Sequence, residues 1–359
     1  MARRRPQFAM IGTGNFGPVL AKFIAEVADV VAICDPSSSS RANFVKATGL
    51  NVKEYGDYRE LLDKESIDAV AVTGPNFTHA PIAIAAAEAG KHVFCEKAMA
   101  PAVPDCWNMV RACEAAKVKL MVGHKRRLRP PWARVIELQE KLGGVAAMSM
   151  VGYFDARPDD FKGWWVQEAL SGGVLMLSGV HEIDWMRALC GDVEAVSAIA
   201  GPQVDRRYDF SDSIHVSLRF RSASVGFLGV SLSYPLRRYR QVYGAEVTCR
   251  KGGIRLVSSF QQVDLYWKSL DASDEHHEHF EETGGDPVGA NEALRKETRD
   301  FVRWIVDGSE PCLTWREGLR AVEVIEAARR SAKQEGSWIK LPLYPELEND
   351  NASIQLLEH

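Results

Sequence analysis

No C-x-x-C pair occurs among the seven cysteines of this 359-residue chain, and their number is odd. A disulfide framework and a thiolate zinc site are therefore not expected; scattered reduced thiols point to a cytoplasmic protein. No apolar run reaches the roughly 18 residues that a membrane span needs. Neither sign of charge is in large excess. The formal net charge is −4, which gives no reason to expect nucleic acid or an anionic membrane as partner. No internal repeat is visible. The basic start, Met1-Ala-Arg-Arg-Arg-Pro, has the charge of an export signal, but the apolar residues after it run straight into a glycine turn, so no signal peptide is expected. The histidines of Glu275-His-His-Glu-His279 fit no structural zinc spacing. They read as a solvated loop, and no metal is expected.

What is present suits a soluble globular protein of two domains. The length exceeds one average domain, and 46% hydrophobic residues allow large cores. The organising stretch is Phe8-Ala-Met-Ile-Gly-Thr-Gly-Asn-Phe-Gly17. Its apolar start reads as a short buried strand. Gly12, Gly14 and Gly17 follow in G-x-G-x-x-G spacing, and Pro18 to Val27 carries apolar residues at helical intervals. Gly12 permits the tight turn, Gly14 lets backbone approach a pyrophosphate, and Gly17 lets helix and strand pack closely. The helix start offers free N–H groups to phosphates. A second strand, Asp29 to Cys34, ends at Asp35, about where an acid meets the adenosine ribose. Thr13, Asn15 and Phe16 complete the expected cofactor loop.

Strands and helices then alternate. Asp68–Thr73, His92–Cys95 and Val118–Val122 read as strands. The helices are Arg41–Thr48 behind a capping serine run, Asp57–Asp63, Pro81–Ala89 and Pro101–Ala116. This rhythm predicts a doubly wound parallel sheet. Ligands sit at the carboxyl ends of such strands, which directs attention to Gly12–Gly17, Asp35–Ser38, Thr73–His79, Glu96–Lys97 and Gly123–Arg127. Thr73, Pro75, Asn76 and His79 are placed to meet the nicotinamide half of a dinucleotide. A Glu96-Lys97 pair at a strand mouth is costly without a task, and a lysine there suits hydrogen bonding to a reacting hydroxyl. After Pro130-Pro131 the texture changes. A helix (Trp132–Leu142), a strand (Val145–Phe154) and a long helix pattern (Gly172–Leu189) are followed by alternating strands to about Trp267. Helices Ala290–Val306 and Trp315–Lys333 come last. The alternation predicts an antiparallel sheet. The long helix carries His181, suited to proton transfer, with Asp184 on the same face to orient it.

Together these motifs resemble the Gfo/Idh/MocA family (glucose-fructose oxidoreductase, inositol dehydrogenase, rhizopine catabolism). They are the glycine turn, Asp35, P-N-x-x-H at Pro75–His79, G-K-H-V-F-C-E-K at Gly90–Lys97, Gly123-His-Lys-Arg-Arg127 and the G-G…H-x-x-D of Gly172–Asp184. The resemblance implies an N-terminal Rossmann domain (1–126) and a C-terminal α/β domain with a large open, mostly antiparallel sheet (127–345). An acidic tail (346–359) follows, ending in the tag-like Leu357-Glu358-His359. It implies NAD-dependent chemistry on sugars or polyols, with NADP left open by Arg41 and the serines. It also implies assembly into a homodimer or homotetramer through the second sheet. Lys97 matches the motif lysine and His181 the motif histidine. The expected substrate pocket is Lys97, Arg127, Tyr153, Asp155, Trp164, Leu177 and His181. Three departures stand out. Ala98 replaces a proline, Gly74 precedes Pro75 where the family often has T-P-x, and Leu177 stands where a carboxylate commonly supports the histidine. Three outcomes stay open: the chemistry persists with weaker proton handling, the substrate lacks one hydroxyl there, or another group such as Tyr153, Asp155 or Tyr234 fills the role. Two other activities stay open: glycoside cleavage with retained NAD, and dinucleotide sensing without catalysis.

Overall fold

A computed structural model describes residues 4–154, 156, 163–234, 241–258, 262–281, 283 and 287–348. Asp155 and the end of the tail, 349–359, lie outside the described residues. The first elements are β1 (Gln7–Ile11), α1 (Gly17–Val27), β2 (Asp29–Cys34), α2 (Ser38–Thr48), β3 (Lys53–Tyr55), α3 (Tyr58–Lys64), β4 (Ala69–Val72), α4 (Asn76–Glu88), β5 (His92–Glu96), α5 (Val103–Ala115) and β6 (Leu120–Gly123). The strands form one parallel sheet in the order β3-β2-β1-β4-β5-β6. All four residues of β4 and of β6 are buried; strands covered on both faces need continuous apolar sequence, which is how they read. The winding direction reverses between β1 and β4, and that reversal opens a crevice at their carboxyl ends.

Three local expectations change. The helix expected from Pro81 begins at Asn76, with Pro75 as its N-cap and Pro81 inside it; the proline marks the first turns, not the start. The polar triplet Lys53-Glu-Tyr55 forms an edge strand, too short to leave a pattern. Ser38 to Ser40 are already helical, and the Ser37 hydroxyl accepts from Ser40 N at 3.2 Å, as a capping serine does.

The second half comprises α6 (Pro130–Lys141), β7 (Val145–Phe154), α7 (Glu168–Ser171), α8 (Val180–Cys190), β8 (Val193–Ala200), β9 (Ser213–Phe220), β10 (Val225–Ser231), β11 (Gln241–Cys249), β12 (Gly252–Ser258), β13 (Gln262–Ser269), β14 (His276–Glu281), α9 (Ala290–Asp307), α10 (Trp315–Lys333) and β15 (Ile339–Lys340). Nine strands run in the order β14-β13-β12-β11-β7-β10-β9-β8-β15, antiparallel except for the β7–β10 pair. One face carries α8 and α10; there Ile214, Val216, Leu218 and Phe220 are buried while the intervening residues of β9 face outward. The expected solvated loop at 275–279 is instead the edge strand β14. It is held by pairing with β13 and by Glu278 and Phe280 turning toward the helix side.

The long helix expected from Gly172 to Leu189 is present as a π-helical turn that runs without a gap into α8, with the short α7 ahead of Gly172. Gly172 ends α7 with φ +84°, a conformation open to glycine, and a Cβ there would lie 2.7 Å from Met176 Cβ. A π-helical turn, Leu175–Gly179, then precedes α8. Helix α9 returns to the first sheet, where Phe301 sets its ring edge-on to Phe8 (6.1 Å) and Phe94 (5.6 Å). Among the described residues, no helix is long and apolar enough to cross a membrane, and all seven cysteines are free thiols, six of them buried.

Candidate functional site

The glycine turn is shaped by contacts that leave no room for side chains. Gly12 has φ +101°, and a Cβ on it would lie 2.4 Å from Gly74 N. A Cβ on Gly17 would lie 2.5 Å from Gly12 O. Gly14 differs: an added Cβ meets no protein atom within 4 Å, so nothing in the fold itself asks for glycine there. Gly14 and Asn15 are exposed. Helix α1 starts without a side-chain cap, so its first N–H groups stay available for an anion. The Asp35 carboxylate, at the end of β2, accepts from Thr13 N and Ser37 N, both at 2.9 Å. Arg41 does not reach into the crevice mouth; its guanidinium donates to Asp35 O (2.6 Å) and to Glu54 (3.3 Å). Thr73 closes the turn by donating to Gly12 O at 2.6 Å.

Two residues expected at the nicotinamide are turned into the protein. His79 is fully buried. Its ring bridges Ala98 O (2.8 Å) and Gly74 O (2.9 Å), and burial holds its pKa below the usual imidazole range. It braces the turn before α4 against the segment after Lys97 and presents no free atom to a ligand. Asn76 is buried and donates to Ser171 O at 3.0 Å, joining the first sheet to the glycine pair before α8. Pro75 caps α4 beside it.

Lys97 leaves the end of β5, with a cis peptide bond to Ala98. Its ammonium donates to the backbone carbonyl of Leu177 at 3.3 Å, in the π-helical turn that precedes His181. Such turns recur at functional sites. Burial, and then the neighbouring Lys125 charge, bring the Lys97 pKa down to about 8. His181 starts the second residue of α8, with Nδ1 enclosed and unbonded. Burial and the charges of Lys97, Lys125 and Arg126 keep its pKa well below the usual range. Near neutral pH the arrangement is thus a cationic lysine beside an uncharged imidazole.

Most of the chain matches two sequence profiles. Residues 7–124 match the Gfo/Idh/MocA profile described as "Oxidoreductase family, NAD-binding Rossmann fold", and residues 138–341 match that family's C-terminal alpha/beta domain. The chain belongs to the Gfo/Idh/MocA oxidoreductase family. It is 25% identical over 342 residues to the myo-inositol 2-dehydrogenase of Thermotoga maritima, covering 92% of this chain and 97% of that one. It is 25% identical over 361 residues to a protein of Mediterraneibacter gnavus named 2,7-anhydro-N-acetylneuraminate hydratase, covering 90% and 94%. Among solved structures, a levoglucosan dehydrogenase in complex with NADH and levoglucosan superposes with a TM-score of 0.81 at 23% identity, covering 94% of this chain and 99% of that one; this shows a shared fold. The Gfo/Idh/MocA assignment makes the chain a nicotinamide-dependent dehydrogenase or reductase. The exposed Gly14, the uncapped α1 and the backbone-held Asp35 fit the NAD that the family's Rossmann fold binds.

Against this family background several expected pocket residues sit elsewhere. Asp184 does not orient His181. It is fully buried and taken by Arg127, whose Nε donates to Oδ2 at 2.9 Å and whose Nη2 bonds both Oδ1 and the Asp184 carbonyl. Arg127 is thereby committed to the protein and not turned to a substrate. Tyr153 is on the wrong face. Met148 and Met150 of β7 are buried on the helix side, so Tyr153 points outward, 3.3 Å from His215 Nε2 and beside Tyr234. Neither tyrosine replaces the carboxylate absent at Leu177. Trp164 lies in the 3-10 turn Gly163–Val166 against Trp165.

Other residues near Lys97 carried little sequence signal. Glu182 is buried; Tyr243 donates to it at 2.8 Å, and Arg126 lies 3.5 Å away, between the rings of Tyr243 and Trp132. His124, also buried, meets His181 edge-on at 5.9 Å, and burial pushes its pKa down to about 4. Lys125 lies over the Phe16 ring (4.1 Å) and 3.6 Å from Glu96. Glu297 of α9 brings a second carboxyl to Glu96: a Cβ on Gly123 would lie 2.6 Å from Glu297 Oε1 and 3.0 Å from Glu96 Oε1. Burial and Glu96 raise the Glu297 pKa well above its usual value, which favours the protonated form. His124 and Lys125 fall in the strand-end segment the sequence singles out; Glu182 and Glu297 are found only by folding.

Proposed function

We propose that this protein oxidises a CH–OH group of a sugar or polyol, or reduces the matching keto-sugar, with NAD as hydride acceptor or NADH as donor. Residues 1–126 hold the cofactor and 127–345 the substrate, a polar molecule with no need for a membrane or nucleic acid. The observation that carries this reading is Lys97 held against the His181 helix at the carboxyl edge of the first sheet. Bound NAD supplies the hydride chemistry. The protein's part is to move one proton and steady one charge. Lys97 donates a hydrogen bond to the reacting oxygen and stabilises the negative charge that grows there. His181, uncharged near pH 7, takes the hydroxyl proton in oxidation and returns it in reduction. Glu96 sets the Lys97 turn, and Asp35 favours NAD, since a carboxylate repels a 2′-phosphate and Arg41 is already engaged. The names of the inositol and hydratase relatives support a polyhydroxylated substrate, and the family's habit supports a dimer or tetramer in a cytoplasmic setting.

The test is NADH absorbance across sugars, polyols and keto-sugars, with Lys97→Ala and His181→Ala run beside the parent. Turnover lost in both variants with NADH binding intact supports the roles; normal turnover in Lys97→Ala ends them. A second reading, with NAD retained through a cycle of no net redox change, is favoured by one observation: a relative bears the name of a hydratase. Substrate consumed without net NADH, in a preparation that keeps its cofactor through gel filtration, selects that reading.

A further inference from the structure

The histidines of β14 become informative once that segment is a strand. Side chains alternate along it. Glu278 turns to the helix side, where Arg134 of α6 donates to it at 3.0 Å. His277 and His279 turn to the opposite, outward face. There His277 Nε2 and His279 Nδ1 converge on one atom, Asp264 Oδ1 of β13, at 3.0 and 2.7 Å. One donor atom from each of the three residues lies within 4.8 Å of the others. A surface ion pair would account for one histidine, not for two aimed at the same oxygen.

The surroundings fix both rings. The His277 ring stacks on Tyr266 at 4.5 Å with 9° between planes. His279 Nε2 lies 3.9 Å from Glu281 Oε2, near enough for the carboxylate's charge to favour a proton on that nitrogen and leave the Nδ1 lone pair for a ligand. The three side chains keep between 20% and 47% of their surface exposed, so an ion can enter without moving backbone.

We propose that Asp264, His277 and His279 form a binding site for a divalent d-block cation of the zinc class. Two imidazoles and one carboxylate suit zinc better than magnesium or calcium, which favour oxygen alone. Tetrahedral zinc with bonds near 2.0–2.1 Å separates its ligand atoms by about 3.3 Å, so the two histidine nitrogens, now 3.0 and 2.7 Å from Asp264 Oδ1, need only move slightly away from it. Water fills the remaining position. The site lies on the sheet face away from Lys97 and His181. Its role is to clamp the outermost strand β14 onto β13, not to take part in hydride transfer.

Zinc chloride is titrated into the full chain, in a Cys312→Ser background, against a chromogenic chelator, with melting temperature as a second readout. The parent is expected to take up one equivalent and to melt higher with zinc. His277→Ala, His279→Ala and Asp264→Asn should each weaken binding at least about tenfold, and Glu281→Gln about tenfold. His276→Ala, on the other side of the strand against Trp267, should bind as the parent does. Metal-free melting and circular dichroism check that each variant is folded. No stoichiometric uptake by the parent overturns the proposal. So does unchanged affinity in a folded His277→Ala/His279→Ala double variant.

Discussion

Replacing Lys97 with methionine should make the protein more stable and inactive at once. The folded chain lowers the Lys97 pKa from 10.5 to about 8, first through burial and then through Lys125. That fall corresponds to at most about 3 kcal/mol, at about 1.4 kcal/mol per tenfold change in proton affinity. The sign follows from proton counting. Below pH 8 the lysine is charged in both folded and unfolded chains, and the full penalty of the buried charge applies. Between about pH 8 and 10.5 the unfolded chain holds a proton that the folded chain has released, so stability rises with pH until the penalty is gone. Methionine keeps the length of the side chain and removes the charge. It also removes the hydrogen bond to the Leu177 carbonyl, which costs about 1 kcal/mol. The net gain at pH 7 should be about 2 kcal/mol. Near pH 10.5 the gain should vanish and turn slightly negative. Paired denaturant titrations of parent and variant at pH 7 and pH 10 measure the difference, so other titrating groups cancel, and NADH-coupled turnover follows the loss of function. A variant less stable than the parent at pH 7, or a difference that does not change with pH, would refute the account of Lys97 as a charge held at a cost for its task.

Gly12→Ala should disrupt the nucleotide turn, because its Cβ would lie 2.4 Å from Gly74 N at a φ of +101°; Gly14→Ala should leave the melting temperature within about a degree and weaken NADH binding, read by cofactor fluorescence. Equal effects at the two glycines would count against a cofactor reason for Gly14. Arg127→Met should destabilise by about 3–5 kcal/mol in denaturant titration, since it leaves the fully buried Asp184 charge without a partner. Glu297→Gln should be nearly neutral for stability below about pH 4.5, where folded and unfolded chains both hold the proton, and increasingly stabilising above it, because the folded carboxyl keeps a proton that the unfolded chain gives up; a large loss at pH 6 would mean that Glu297 is ionised in the fold.

The first sheet was legible because its signals are local. A buried parallel strand needs a continuous apolar run, and Gly12 is demanded by a turn that begins at the residue itself. The ends of those strands then place Lys97 and the Gly123–Arg127 segment without any tertiary knowledge. The pocket partners were less legible because they are set by distant contacts. Arg127 meets Asp184 across 57 residues and Tyr243 meets Glu182 across 61; no pattern within α8 says which of its acids is claimed by which cation. Glu297 reaches Glu96 only because α9 folds back onto the first sheet. Tyr153 is different. The buried Met148 and Met150 fix the parity of β7, and the same alternation, carried three residues further, turns Tyr153 outward. The histidines of β14 were misread for want of one fact, the pairing with β13 that converts a polar, loop-like composition into an edge strand.

Leu177 remains the residue by which this site departs from the pattern its other motifs follow, and the geometry gives the departure a physical account. A carboxylate one turn before His181 would do two things: it would neutralise Lys97 and raise the histidine's affinity for a proton. Here the first task falls to a backbone carbonyl, which orients the ammonium without cancelling its charge. Among the described candidates the second task is left undone, since Asp184 is bound to Arg127 and Tyr153 faces away. The imidazole is therefore a weak base, and the lysine keeps its full charge until about pH 8. Such a pair favours chemistry in which stabilising the charge on the reacting oxygen matters more than pulling its proton. Leu177 is buried and apolar, so on the proposed function a hydroxyl that a carboxylate would bind has no partner in its side chain. On that reading we propose a substrate that carries hydrogen or carbon where the carboxylate would have bound a hydroxyl.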